Sequence, residues 1–82
     1  MNQENESDQK ETENFCRNIH ALRLARNLTK QEMASLLGIG TVSLSKIEAG
    51  ILPKRLSYAI LLRLHGYFSI LPSEIFSDVF AP

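Results

Sequence analysis

The chain has 82 residues, 44% of them apolar and 22% charged, with one cysteine and a formal net charge of zero. This length supports one small domain and excludes enzyme architectures that need a deep cleft between two lobes. No run approaches the roughly 20 consecutive apolar residues of a membrane span, and the acidic, polar start is unlike a secretory signal. We therefore expect a cytoplasmic protein without a membrane segment, stabilised by packing rather than by an intrachain disulfide.

Charge divides the chain into two parts. Residues 1–14 hold five carboxylates and one lysine, a net charge of −4, and almost no apolar side chain. Residues 15–82 hold eight Lys and Arg residues against four acidic ones, a net charge of +4. This composition predicts a disordered acidic tail over 1–14 and a basic folded domain over 15–82. A basic domain of this size is suited to a polyanion such as nucleic acid.

The first predicted helix begins the folded domain. Apolar residues recur at the 3.6-residue spacing of an amphipathic helix at Phe15, Ile19 and Leu22. We expect this helix to run to about Arg26, because Asn27 is suited to the left-handed backbone that ends a helix.

Two short helices follow. Thr29 and Glu32 have the spacing of a capping box, in which each side chain binds a backbone amide at a helix start. This second helix is predicted to end at Gly38, because glycine adopts a positive φ without a Cβ clash. A third helix is predicted after Gly40 and ends at Gly50.

The last part of the domain is predicted to hold two more helices. Residues 54–68 carry apolar side chains at three- and four-residue steps, which indicates a longer fourth helix. Pro72 is suited to the first turn of a fifth helix, with an apolar stripe of Ile75, Phe76, Val79 and Phe80. This stripe has three possible uses: core packing, a dimer contact or the docking of another protein. No segment alternates like a strand, so the predicted fold is an all-α bundle of five short helices.

The second and third predicted helices, joined by a short glycine-containing turn, have the arrangement of a helix-turn-helix motif. Residues 28–50 closely resemble the phage repressor and Cro type of helix-turn-helix family, which is also described as xenobiotic-response-element-like. Met33-Ala34, Leu37-Gly38-Ile39 and Ile47-Glu48-Ala49-Gly50 match that family's pattern, and the likeness covers roughly residues 15–76. It implies a lambda-repressor-like fold and a sequence-specific DNA-binding transcriptional regulator, in particular a repressor that occupies an operator.

The resemblance also implies roles for single residues. In this family the positions matching Arg23 and Glu48 form a partly buried ion pair between the first helix and the end of the recognition helix. The recognition helix corresponds to residues 41–49. The residues implied to face the major groove or the phosphates of duplex DNA are Lys30, Thr41, Val42, Ser43, Ser45, Lys46, Lys54 and Arg55. Of these, Ser43, Lys30, Lys54 and Arg55 are assigned to the phosphates.

The small size of the predicted DNA site indicates that the protein needs a partner. One recognition helix reads only a half-site, so we expect a homodimer that matches two half-sites one DNA turn apart, roughly 34 Å. The candidate dimer contacts are the fifth helix, the loop at Ile51-Leu52, and the apolar residues Leu24 and Leu36. An alternative is a protein-interaction module of the same fold, an antitoxin or anti-repressor subunit, that binds its partner through helices four and five. A third possibility is that the acidic tail competes with DNA for the basic domain.

Catalysis, cofactors and metal binding are not expected. Cys16 and His20 lie one helical turn apart, a spacing that supplies half of a metal site. Only His65 remains to join them, and it is distant in sequence. Serine and histidine residues are present, but no oxyanion element or catalytic triad spacing accompanies them. We therefore expect neither a metal centre nor an active site.

Overall fold

The computed structural model describes residues 3–53 and 57–82. In these ranges the chain forms α1 (Gln3–Ala25), α2 (Lys30–Leu37), α3 (Thr41–Glu48), α4 (Tyr58–Phe68) and α5 (Pro72–Ile75), and no strand. The predicted all-α fold class is confirmed. No described helix combines the length and the apolar character that crossing a membrane requires.

Among the described residues, one apolar core holds the helices together. α1 packs against α3 and α5, and α2 packs against α3 and α4. The largest side chains that are fully buried are Phe15, Ile19, Leu22, Met33, Leu37, Leu44, Ile47, Leu64 and Ile75. Burial of a side chain of this size stabilises the fold by about 1.5–3 kcal/mol. Because Leu44 and Ile47 belong to α3, the core fixes which face of α3 remains exposed.

The predicted helix boundaries around α2 are confirmed. The Thr29 hydroxyl accepts from the Glu32 amide at 3.0 Å, and the Glu32 carboxylate accepts from the Thr29 amide at 2.9 Å. α2 then ends at Gly38, whose φ of 74° is left-handed. Asn27 is also left-handed, with a φ of 55°, and separates α1 from the capping box.

α4 begins at Tyr58, four residues after the predicted start. Ser57 caps this helix, because its hydroxyl accepts from the Ala59 amide at 3.1 Å. The pattern of apolar residues did not identify this cap, since an apolar repeat continues across it. Residues 54–56 lie outside the described residues.

The predicted stripe on the fifth helix was wrong in its extent. α5 ends at Ile75, and Val79 is 84% exposed. The Ser77 hydroxyl accepts from the Val79 amide at 3.0 Å, so a local turn replaces further helix there. Phe76 and Phe80 nevertheless pack against the core, and the Phe76 ring stacks on Phe15 with centroids 5.2 Å apart. Of the three uses weighed for the stripe, core packing holds for Ile75, Phe76 and Phe80.

Two buried asparagines of α1 account for the early end of α5. The Asn18 side-chain amide donates to the carbonyls of Ile75 and Ser77, each at 2.8 Å. The Asn14 amide donates to the Phe76 carbonyl at 3.1 Å. These bonds satisfy carbonyl groups that a longer helix would have bonded internally. Asn14 belongs to the segment predicted as a tail, but its side chain is buried and also accepts from Arg17 Nη2 at 2.9 Å.

α1 begins at Gln3, whereas the apolar pattern predicted a start at Phe15. Met1 and Asn2 lie outside the described residues. Most of the helical stability of a protein comes from packing of an apolar face. The side chains of Gln9, Lys10 and Glu11 are exposed and therefore add no such packing to this part of α1. The disorder predicted for residues 1–14 and the boundary at residue 15 therefore stay predictions.

Two glycine substitutions test this description of the helices. Gly66→Ala is expected to raise the free energy of unfolding by about 0.5–1 kcal/mol, because alanine favours a helix interior and, apart from its chain neighbours and its own helix backbone, no described atom lies within 4 Å of the added Cβ. Gly38→Ala is expected to lower it by about 1–2 kcal/mol, because its left-handed backbone disfavours a Cβ. Urea unfolding followed by circular dichroism measures both, and shifts of the same sign would contradict these assignments.

Candidate nucleic-acid interface

The turn between α2 and α3 sets the relative position of the two helices. The Ile39 amide donates to the Ala34 carbonyl at 2.9 Å, and the Gly38 amide donates to the Ser35 carbonyl at 3.2 Å. Ile39 packs against the core as a half-buried residue. These contacts close the end of α2 and direct the chain into α3 after Gly40.

Arg63 of α4 supports the same turn. Its guanidinium donates from Nη1 to the Leu36 carbonyl at 3.3 Å. A Cβ added to Gly38 would lie 2.9 Å from Arg63 Cζ, so the guanidinium occupies the space beside the glycine. The sequence analysis missed this residue, because nothing in the spacing of Arg63 indicates which turn it reaches.

The exposed face of α3 gathers most of the predicted recognition residues. Thr41, Val42, Ser45 and Lys46 line one open depression together with Ala49 and Ile51. Val42 is 68% exposed and Ile51 is 57% exposed, so apolar groups form much of this surface. Ser43 lies to one side, in a second depression that it shares with Lys46, Leu52 and Pro53.

Lys30, one of the residues predicted to contact phosphate, lies beside the exposed face of α3. It is the first residue of α2, and its Nζ donates to the Ser45 hydroxyl at 3.2 Å. The structure thus brings Lys30 together with a residue of α3 that is 15 positions later in the chain. Lys54 and Arg55 lie outside the described residues.

The end of α3 is joined to α1 by a charged pair. Arg23 Nε lies 2.7 Å from one carboxylate oxygen of Glu48, and Arg23 Nη2 lies 3.0 Å from the other. The Arg23 side chain is 12% exposed and the Glu48 side chain 5% exposed. Arg23 Nη1 also donates to the Leu28 carbonyl at 3.0 Å. This two-pronged geometry is the strong form of an arginine–carboxylate bond.

His20 is a third member of this cluster, which the sequence analysis considered only as a metal ligand. Its Nδ1 lies 2.7 Å from Glu48 Oε1. His20 precedes Arg23 by three residues on α1, so both side chains lie on the same helical face. That spacing was the available signal that both could reach one carboxylate.

The pKa of Glu48 reflects its surroundings. Burial alone would raise the pKa of this carboxyl, but hydrogen bonds from Arg23 and His20 and the positive charge of Arg23 outweigh burial, and the pKa lies below its ordinary value of 4.5. The hydrogen bond to Glu48 in turn raises the pKa of the Arg23 guanidinium. Glu48 is therefore negatively charged near neutral pH, as the ion pair with Arg23 requires.

Metal binding has no support in the ranges that the structure describes. No three His, Cys, Asp or Glu side chains there are grouped to hold a metal ion. The Cys16 thiol is buried, and burial raises its pKa, which disfavours the thiolate that binds metals.

Comparison with known proteins identifies a family. The sequence model of a family described as helix-turn-helix matches residues 19–75, a range that includes α2, α3 and α4. No curated protein and no solved structure matches the chain.

The pair between α1 and α3 can be tested by truncation. Glu48→Ala is expected to lower the free energy of unfolding by about 3 kcal/mol, because it leaves the Arg23 charge buried without its partner. Glu13→Ala removes an exposed carboxylate of α1 and is expected to change the free energy of unfolding by less than about 0.5 kcal/mol. Thermal and urea unfolding measure both variants. Equal small effects would contradict a stabilising pair.

The lowered pKa of Glu48 gives a pH dependence with a definite sign. The folded state binds fewer protons at this group than the unfolded state, so its stabilising contribution is present above pH 4.5 and is lost as the pH falls further. The stability difference between the wild-type protein and Glu48→Gln is therefore expected to shrink below that pH. Urea unfolding over a pH series measures the difference, and one that grows on acidification would contradict the assignment.

Proposed function

Because the chain belongs to the Cro/C1-type helix-turn-helix family, a family of DNA-binding transcription regulators and not of enzymes, we propose that it is a repressor that occupies an operator in duplex DNA. The observation that supports this most is the division of α3 into two faces. Leu44 and Ile47 are buried, whereas Thr41, Val42 and Lys46 are exposed. An α-helix with one free face of this kind fits the major groove.

The chemistry of the free face suits base edges. Lys46 can donate to guanine O6 and N7, and Val42 can contact the methyl group of thymine. The hydroxyls of Thr41 and Ser45 can each donate or accept a hydrogen bond. Because Val42 is 68% exposed, an apolar contact with thymine would remove a costly apolar surface from water.

Phosphate contacts are assigned to residues that flank this face. Lys30 at the start of α2 combines its charge with the amides of a helix N-terminus, which attract anions. Ser43 lies at the edge of the α3 face, beside Lys46. Lys54 and Arg55 follow α3 closely in sequence and are proposed as a second phosphate clamp. Such contacts set the position of the protein on DNA rather than its base preference.

We propose that a homodimer binds the operator, because a single α3 contacts only half of a two-fold site. Among the candidate contacts, Leu24 is 54% exposed and Ile51 is 57% exposed, so both are available to a second copy. Leu36 and Leu52 are half-buried and pack against the core. Leu24 and Ile51 are therefore the better supported of these candidates. A cytoplasmic location belongs to the same proposal, since its target is DNA.

A second candidate function has an observation in its favour. Tyr58 is 72% exposed and Leu62 is 55% exposed, and their four-residue spacing puts them on the same side of α4. An apolar face of this kind fits an antitoxin or anti-repressor subunit whose partner is another protein. In that case DNA binding by α3 would be secondary.

Competition by the acidic segment is less well supported. His20 contacts the end of α3, whereas Asn14 contacts the turn after α5. At 1.5 Å per residue, Gln3 lies about 25 Å along the α1 axis from His20. The backbone at the start of α1 therefore lies far along the helix axis from the contact between His20 and α3.

DNA binding and its specificity can be measured together. A pool of labelled random duplexes is selected on the protein, and the enriched sequence is titrated against an unrelated duplex at several salt concentrations. Lys46→Ala is expected to weaken the enriched duplex by about tenfold or more and to reduce its preference over the unrelated one. Lys10→Ala, which removes an exposed lysine of α1, is the matched control and is expected to leave that preference unchanged.

The possible outcomes separate the two candidate functions. A preference of about a hundredfold with a steep salt dependence supports operator binding. Weak binding without any sequence preference would overturn it and favour the protein-interaction module.

A further inference from the structure

Lys30 and Ser45 are joined by a hydrogen bond whose direction is fixed by chemistry. The two atoms, Lys30 Nζ and Ser45 Oγ, are 3.2 Å apart. An ammonium group has three N–H donors and no acceptor, so the serine hydroxyl is the acceptor in this bond. We infer that the bond from Lys30 favours Ser45 as a hydrogen-bond donor toward DNA and thereby biases which bases Ser45 contacts. The inference rests on the proposed function, because it concerns base recognition by α3.

The hydroxyl proton of Ser45 remains available once Lys30 is bound. A serine hydroxyl has one proton and two lone pairs, and the ammonium occupies one lone pair. Serines within helices often turn their proton back to the carbonyl four residues earlier. Among the described residues, the Ser45 hydroxyl has only the bond to Lys30. The positive ammonium repels that proton, which has no acceptor among the described residues and is available to DNA.

The position of Ser45 gives that proton access to base edges. Ser45 lines the same depression as Thr41, Val42 and Lys46, the side chains assigned to the major groove. In that groove guanine and adenine present the acceptor N7, guanine also presents O6, and thymine presents O4. Cytosine presents only the donor N4 amino group. The hydroxyl keeps one free lone pair, but the nearby ammonium repels the positive N4 hydrogens of cytosine and makes the hydroxyl a better donor than acceptor. Ser45 bonded to Lys30 therefore disfavours cytosine at the base that it contacts.

The same contact links base reading to the DNA backbone. After the bond to Ser45, two N–H donors of Lys30 remain for a phosphate. A phosphate bound by Lys30 would hold the ammonium in place and keep the hydroxyl oriented. Lys30 thus has two roles. Its charge attracts a phosphate, and its bond to Ser45 makes it a specificity-determining residue.

The test compares Lys30→Met, Lys30→Glu and Ser45→Ala, with Lys10→Met as the matched control for loss of a lysine. For each protein, duplexes selected from a random pool are sequenced to obtain base preferences at every position of the half-site. Thermal unfolding checks that each variant is folded. Because preferences within one protein are relative, they are independent of the overall loss of affinity that a missing charge causes.

We expect Lys30→Met and Ser45→Ala to lose discrimination against cytosine at the same single position, by about threefold to tenfold, the value of one neutral hydrogen bond. The double variant should lose no more than either single variant, because the two side chains act as one unit. In Lys30→Glu the carboxylate accepts the hydroxyl proton, so Ser45 becomes an acceptor, and preference at that position should shift toward cytosine or adenine. Lys10→Met should match the wild-type profile.

Two results would overturn the inference in distinguishable ways. If Lys30→Met weakens every sequence alike and its base profile is unchanged, Lys30 acts only on phosphate while operator binding stands. If the wild-type protein selects no sequence at all, the proposed function fails and this inference fails with it.

Discussion

The carboxylate of Glu48 is the point at which three parts of the chain meet. It closes α3, and it accepts from Arg23 of α1, whose guanidinium also donates to the Leu28 carbonyl in the segment before α2. Two charges that are largely removed from water are stable only as a pair. The bond therefore fixes the end of α3 relative to α1, and the exposed face of α3 depends on that position.

The other end of α3 is held by different means. The turn after α2 uses the left-handed backbone of Gly38, and Arg63 of α4 occupies the space beside it while bonded to the Leu36 carbonyl. Between the two ends, Leu44 and Ile47 anchor α3 in the core. An ion pair at one end, a supported turn at the other and apolar burial between them leave α3 little freedom to rotate. Rigid presentation of this kind lowers the entropic cost of binding.

The surface that α3 presents is more apolar than charged. Lys30 and Lys46 supply positive charge beside Val42 and Ile51, which are both more than half exposed. Because few charged side chains lie on the described part of this surface, the orientation of each polar group there matters more. The bond from Lys30 to Ser45 is important for this reason, since it gives a small hydroxyl a defined direction.

The sequence by itself determined the local structure. The 3.6-residue apolar repeat, the Thr29–Glu32 capping box and the glycine at position 38 specify the helices around the turn through neighbouring residues alone. The all-α fold follows from the same short-range signals, whereas the helix-turn-helix family was identified by the resemblance of residues 28–50, and the family model confirms it over residues 19–75. The sequence did not indicate where α5 ends, because Asn14 and Asn18 of α1 bond the carbonyls of Phe76 and Ile75 from more than 50 positions away.

Only the tertiary structure decided how distant polar groups meet. His20 joins Glu48, Arg63 reaches the turn after α2, and Lys30 bonds Ser45. Each of these contacts joins side chains on different helices or a side chain to a distant carbonyl. Periodicity describes which face of one helix is apolar, but it contains no information about which groups of another helix that face will oppose. The packing of the core brings those groups together, and the direction of each hydrogen bond then follows from their chemistry.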